Sequence, residues 1–364
     1  MSRPGRVGVV IPVFNLRAYV GEAIESVLGQ TVPARDVDLV VVDDGSTDGS
    51  GDLAAARSPR VRVVRQANRG LPAARNAGVA ATDAELLVFL DADDVLLPDH
   101  LAATRDALAA RPDAGIAYAG WRYVDADGTV LPQGYPRDEG DLLPRLVLGN
   151  VVVVHAAMVR RATFEDAGGF DESLTSVEDW DLWLRASRRG ARWVAVDRVL
   201  AEYRLRPDAM HRDPGRMLVN RLRVLDKTFA DPGLPPDVRA LRARAYQNVD
   251  LTAACDYYRV GDRNRGVQAL RAALVRDPTL IADVRGIRRL QRCLLPIGHQ
   301  AEAEVLARGA ELDGLVARML GDVFALRDLE PAIAAFRWRA RVAIWRARAR
   351  HLRKRALRRA SGFA

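Results

Sequence analysis

The chain has 364 residues, 49% of them hydrophobic and 28% charged, as in an ordinary soluble protein with one large domain and a smaller companion. Two cysteines, Cys255 and Cys293, exclude a disulfide framework or a cysteine-built metal cluster and suit a reducing compartment. The formal charge of +8 is uneven: residues 1–213 hold 25 basic and 32 acidic side chains (net −7), and residues 214–364 hold 30 and 15 (net +15).

In chain order, Val7–Val13 is a short apolar run that predicts a strand, and a helix pattern follows through Val20, Ile24 and Leu28. Val37–Val42 predicts a second strand, ended by Asp43-Asp44-Gly45-Ser46. Val61–Val64 predicts a third, a helix from Pro72 to Ala81 follows, and Glu85–Leu90 predicts a fourth strand ending at Asp91. Strands alternating with helices predict a mostly parallel sheet covered on both faces, whose ligands bind beyond the carboxyl ends of the strands. The acidic clusters Asp43-Asp44 and Asp91-Ala92-Asp93-Asp94 fall at those ends.

From Tyr118 the strands shorten, with a turn expected at Asp125–Gly128. Val151–Arg160 is a further strand candidate. Its apolar stretch Val151–Val159 contains His155 and is far short of the ~20 residues of a membrane-spanning helix. A helix begins near Glu178, and Arg192–Val196 and Val199–Arg204 predict closing strands. After Asp213-Pro214 the pattern is helical. The expected domains are 1–214, 215–335 and a basic tail, 336–364. No secretory leader is legible at the first residues, so the expected location is the cytoplasm.

Two carboxylates two residues apart at a strand end, Asp91 and Asp93, can reach one hard divalent cation such as Mn²⁺ or Mg²⁺. Such a pair alone is more often a solvated turn. Asp44, Gly45 and Ser46 can be turn and cap residues. Arg75 can be a helix-surface charge, and Glu178, Asp179 and Asp181 can simply favour the positive end of a helix dipole. Trp180 and Trp183, three apart, read as helix core, with stacking of Trp180 on an acceptor ring as the functional alternative. No Gly-x-x-x-x-Gly-Lys loop, strand-linked Gly-x-Gly-x-x-Gly, Gly-x-Ser-x-Gly or His-Glu-x-x-His motif occurs.

The ordered set Val10-Ile11-Pro12-Val13-Phe14-Asn15, Asp43-Asp44-Gly45-Ser46-Thr47-Asp48, Asn68–Gly78, Leu90-Asp91-Ala92-Asp93-Asp94 and Glu178–Arg185 closely resembles family 2 of the glycosyltransferases over about residues 6–206. The resemblance implies an α/β GT-A nucleotide-sugar-binding fold and an inverting, metal-assisted transfer from a nucleotide-sugar donor, UDP-linked by preference, to a glycan or lipid-linked hydroxyl. It implies that Pro12 and Phe14 line the nucleoside pocket, that Asp44 accepts from the base and that Arg75 lies near base and phosphates. Asp91 becomes the ribose-side carboxylate and a metal neighbour, and Asp93 the principal metal ligand. Asp179 becomes the general base, with Glu178 as its competitor. Arg204 and Arg206 are candidates for phosphate. The usual serine-rich continuation is replaced by Pro207–Arg212, where His211 is either a loop histidine or a group near the metal or diphosphate.

In the second half, Gly261–Pro278 resembles part of a tetratricopeptide repeat, with Gly266 where that repeat prefers alanine. Between Arg337 and Arg359 there are eleven cations and no acid, and Trp338, Val342, Trp345, Ala349 and Leu352 recur at helical spacing. This pattern over residues 336–359 fits an interfacial helix on an anionic membrane, which would place the enzyme peripherally at the inner face of the cytoplasmic membrane. A solvated or packed basic helix is the plainer reading, and nucleic acid is not expected. The rival functions are a sugar-nucleotidyltransferase, whose Gly-rich N-terminal loop is missing, and a catalytically silent adaptor binding partners through the helical half.

Overall fold

The structure is a computed structural model that describes residues 3–125, 127–134, 138–206, 209, 212–282, 284–295, 302–326 and 328–360. It divides into two compact units, residues 1–209 with 230–234, and residues 210–229 with 235–364.

The first unit is built on a nine-stranded sheet of order β3-β2-β1-β4-β8-β6-β9-β5, with β7 paired to β6. The strands are β1 (Arg3–Val13), β2 (Val37–Asp43), β3 (Val61–Arg65), β4 (Ala84–Phe89), β5 (Val95–Leu96), β6 (Ala114–Val124), β7 (Val130–Gly134), β8 (Ala157–Arg160) and β9 (Arg192–Arg204). The four N-terminal strands β3, β2, β1 and β4 run parallel, as the strand–helix alternation predicts. In β2, β1 and β4 the Val and Leu side chains are buried on both faces, the condition under which parallel strands read as unbroken apolar runs, whereas the valines of the edge strand β3 are only half-buried. The flanking helices are α1 (Val20–Leu28), α2 (Ser50–Arg57), α3 (Leu71–Ala80), α4 (His100–Ala110), α5 (Leu143–Leu146), α6 (Arg161–Asp166) and α7 (Glu178–Arg188).

Two strand expectations change. Val151–Arg160 forms a strand only over Ala157–Arg160, where it lies between β4 and β6. The preceding residues turn instead, as a 3₁₀ helix at Val154–Ala156. The two closing strands are one, β9, which stays paired with β6 by shifting register where Ala119 faces Val196 and Gly120 faces Val199.

The second unit is helical: α8 (Pro214–Ala230), α9 (Pro236–Ala240), α10 (Arg242–Arg259), α11 (Arg263–Arg276), α12 (Val284–Leu294), α13 (Glu302–Ala307), α14 (Gly309–Phe324), α15 (Pro331–Ala334) and α16 (Arg337–Ala360). Gly266 lets α11 approach α10, since a Cβ there would lie 2.6 Å from the Tyr258 ring. Among the described residues no helix is long and apolar enough to cross a membrane.

Candidate active site

Three of the motifs reach the ends of strands, after β1, β2 and β4, while the other two lie on α3 and at the start of α7. β1 gives way to Phe14, 46% exposed, and to Asn15, whose φ of 54° is a left-handed turn that asparagine tolerates. Pro12 is buried and falls past the last residue of β1 that pairs with β4, where its missing N–H leaves that ladder intact. Asn15 and the loop after β2 lock together: its N–H donates to Ser46 Oγ (3.1 Å), and its side chain accepts from the Thr47 N–H (2.8 Å).

Asp44 is buried, and the protein already uses both of its carboxylate oxygens. It accepts from Gln66 Nε2 at 2.7 Å and from the N–H groups of Arg69 (2.9 Å) and Gly70 (2.8 Å). This holds the loop that starts α3, where Gly70 has φ +89°. A carboxylate offers about four acceptor positions, so one remains for a base. Gly78 brings α3 against β1: a Cβ at this position would meet Val10 Cγ1 at 2.2 Å.

Arg75 is no surface charge. It is 1% exposed, and its guanidinium bridges Asp91 Oδ1 (2.5 Å) and Glu178 Oε1 (2.5 Å), with its Cζ 5.2 Å from the centre of the Phe170 ring. Burial opposes its charge, but Asp91 and Glu178 more than compensate and raise its pKa. One arginine thus ties the acidic turn after β4 to the start of α7.

The acidic turn closes with the Asp94 N–H donating to the Asp91 carbonyl (3.0 Å). Pairing of β5 with β9 brings the end of β9 to it. There the Arg204 N–H donates to Asp94 Oδ1 (2.8 Å), and Arg204 Nε donates to the Asp93 carbonyl (3.0 Å). Arg206 Nε donates to Asp93 Oδ2 (2.6 Å), and both guanidinium groups lie over the Tyr19 ring. Burial, with Asp94 and Asp91 alongside, raises the Asp93 carboxyl to about 6 despite Arg206. Arg204 and Arg206, read as phosphate contacts from the sequence, are thus engaged with the acidic turn, and His211 lies outside the described residues.

His155 and Asn150, to which the motif reading assigned no role, join the site. His155 arrives because antiparallel β8 enters beside β4, and its Nδ1 lies 3.0 Å from Asp94 Oδ2 with both side chains buried. The imidazole stacks on Tyr203. Burial opposes its protonation, but Asp94 and the other carboxylates outweigh it and raise its pKa. Ligand atoms of Asp91, Asp94 and His155 lie within 4.8 Å of one another. The signal was present in the sequence as the single histidine within an apolar run.

At the start of α7, Val177 takes a left-handed φ of 56°, which is rare for a β-branched residue and strained. It places three acidic residues in the first turn. Glu178 is buried against Arg75. Asp179 is half-buried and makes no ion pair among the described contacts; Asn150 Nδ2 donates to its Oδ2 (2.8 Å) and the Trp180 N–H to its Oδ1 (2.7 Å). Burial and the neighbouring Glu178 raise the Asp179 carboxyl to about 6, with Arg75 opposing. Trp180 and Trp183 are core, as their spacing indicates, and Trp180 Nε1 donates to the Leu146 carbonyl (2.7 Å).

Residues 8–168 match the family described as Glycosyl transferase family 2. Chondroitin synthase of Escherichia coli is 29% identical over 194 residues, covering 52% of this chain and 28% of that protein. The uncharacterized glycosyltransferase EpsJ of Bacillus subtilis is 29% identical over 221 residues, 57% of this chain and 63% of its own. The chain thus spans less than two thirds of either relative. Among solved structures, S. aureus TarS 1-349 in complex with UDP-GlcNAc superposes with a TM-score of 0.58 at 17% identity, covering 86% of this chain and 92% of that 1-349 chain. The mannosyltransferase PcManGT of Pyrobaculum calidifontis, in complex with GDP-Man and Mn²⁺, gives a TM-score of 0.52 at 19% identity, covering 93% and 86%.

Proposed function

Because the chain carries a glycosyl transferase family 2 domain on a GT-A-like fold, we propose that it moves a sugar from a nucleotide-sugar donor to a hydroxyl of a glycan or lipid-linked acceptor, inverting the sugar carbon. The observation that carries this reading is the buried Arg75 bridge, which gathers the acidic turn and the α7 carboxylates into one site. UDP-sugar is the favoured donor, supported by the shared fold with TarS bound to UDP-GlcNAc. We place the reaction at the inner face of the cytoplasmic membrane.

The turn suits a divalent cation. Burial, with the crowded carboxylates of Asp94 and Asp91, raises Asp93 to about 6; the carboxylate share of that shift favours added positive charge, and the oxygens are hard ligands. Asp93 and Asp91 would hold Mn²⁺ or Mg²⁺, which supplies Lewis-acid neutralisation of the departing diphosphate. A second ligand set, Asp91, Asp94 and His155, is favoured by the 4.8 Å clustering of their ligand atoms. Against it, His155 is fully buried behind Asp94, which suits a residue that orients a carboxylate.

The protein side divides into three tasks. Pro12, Phe14 and Asp44 hold the nucleoside, and Arg204 meets donor phosphate. Arg75 fixes Asp91 on the donor side and occupies Glu178. Asp179 is then the carboxylate free to take the acceptor proton, and Asn150 orients it. A displacement in line needs only this base on one side and charge neutralisation on the other.

Calorimetric titration of UDP, GDP and their sugar conjugates, with and without Mn²⁺ or Mg²⁺, tests the reading. The expected result is metal-dependent binding of a uridine nucleotide that Asp93→Ala removes while circular dichroism stays unchanged. Loss of Mn²⁺ binding in His155→Ala but not in Asp93→Ala would select the second ligand set. No binding of any nucleotide with either metal would leave the adaptor reading.

A further inference from the structure

The helix α16 has two apolar stripes. One faces inward: Ala340, Ala343 and Ala347 are buried in the core of the helical unit, which also contains Ile287 and Leu290 of α12 and Leu312, Val316 and Leu320 of α14. Their spacing of three and four residues is one helix face, and alanine allows close approach. The other stripe faces outward. Trp338 is 72% exposed and Trp345 67% exposed, two turns apart, while the other four tryptophans of the chain are at most 9% exposed.

The packed alanine stripe accounts for the helix being held to its unit, and it leaves the two outer indoles unexplained. Each presents a large apolar surface to water next to cations. Arg341 and Arg346 are exposed beside them. Arg337 donates to the Phe324 carbonyl, and Arg339 lies over the Phe336 ring. No acid occurs from Arg337 to Arg359. Indole rings suit the headgroup level of a bilayer, guanidinium groups suit lipid phosphates, and a face without acids is repelled by neither.

We propose that the outward face of α16 docks on an anionic lipid bilayer, with Trp338 and Trp345 entering the headgroup layer and Arg341 and Arg346 meeting its phosphates. This rests on the reading of the enzyme as one that serves a membrane-linked acceptor. The docking face is prefolded, because its opposite side is already core.

The full chain is tested with vesicles of phosphatidylcholine alone and of phosphatidylcholine mixed equally with phosphatidylglycerol. The expected result is sedimentation with the anionic vesicles at low salt, weakened by high salt, with a blue shift of tryptophan emission and quenching by brominated lipid. Trp338→Ser with Trp345→Ser should lower vesicle affinity on the order of tenfold or more and abolish the quenching. Arg341→Gln with Arg346→Gln should reduce affinity and its salt dependence. Absence of sedimentation at low salt, equal affinity of the double tryptophan variant, or tighter binding to a DNA duplex or an acidic polypeptide would overturn the proposal. Nucleotide binding is measured on the same samples, so a wild-type protein that binds vesicles and no nucleotide sinks the glycosyltransferase reading and leaves this one standing.

Discussion

Arg206 Nε pairs with Oδ2 of Asp93, the carboxylate proposed to hold the cation. A guanidinium and a divalent ion therefore compete for one carboxylate in the absence of donor. Arg206→Gln removes the fixed positive charge beside a mostly buried acid, and the expected result is tighter Mn²⁺ binding without nucleotide, on the order of tenfold, read by the loss of free Mn²⁺ signal in electron paramagnetic resonance. Unchanged or weaker Mn²⁺ binding would show that Arg206 does not guard the site. Asp179 raises a separate expectation. In the proposed reaction Asp179 acts as base only when deprotonated, and its carboxyl lies at about 6, so kcat/KM should fall about tenfold per pH unit below that value and level off above it. Asp179→Asn should bind donor normally and lose on the order of 10²–10⁴ in turnover. Turnover near normal in that variant would move the base to Glu178, which here is held by Arg75.

At the level of elements, the positions of the acidic clusters followed from strand ends, and strand ends were legible because buried parallel strands leave unbroken Val and Leu runs. β2 and β4 begin and end within a residue of where those runs do. The approach of β8 was less legible. Val151–Val159 reads as one apolar run, yet Val154–Ala156 forms a 3₁₀ helix and only Ala157 onward joins the sheet, a break that no local pattern marks. For the same reason His155 carried a signal without an address: its place beside Asp94 depends on antiparallel pairing across the sheet. Gly78 belongs to a motif that resemblance alone could mark. The structure supplies its physical reason, the contact of α3 with Val10 on β1. Gly78→Ala would gain up to about 1 kcal/mol of helix propensity but must displace a β-branched side chain in a packed core, so the net expectation is destabilisation of about 1–2 kcal/mol. Urea unfolding checks it, and a midpoint that rises would show that α3 can move off the strand.

Over the whole molecule the sequence divides as its charge does, with an acidic N-terminal half dense in motifs and a basic C-terminal half that has few. The helical unit was legible as helical and little more, because helix–helix partners are chosen by surfaces that meet from distant segments. The tail illustrates this. Its tryptophan stripe stands out in the sequence, while the alanines that hold it in place look like filler among arginines. Packing reverses that ranking, since Ala340, Ala343 and Ala347 are core and the two tryptophans are exposed. Ending the chain at Ala335 would therefore do more than remove a basic tail. It would uncover the faces of α12 and α14 on which those alanines and the partly buried Ile344 pack. At roughly 0.8 kcal/mol per buried methyl group, the three alanines with part of Ile344 contribute on the order of 3 kcal/mol to the helical unit. The shortened chain should show a lower melting temperature in circular dichroism at 222 nm and bind a dye for exposed apolar surface, whereas Trp338→Ser with Trp345→Ser should do neither. If the shortened chain melts as the full one does and binds no dye, α16 contributes no core, and its alanine stripe has no structural task.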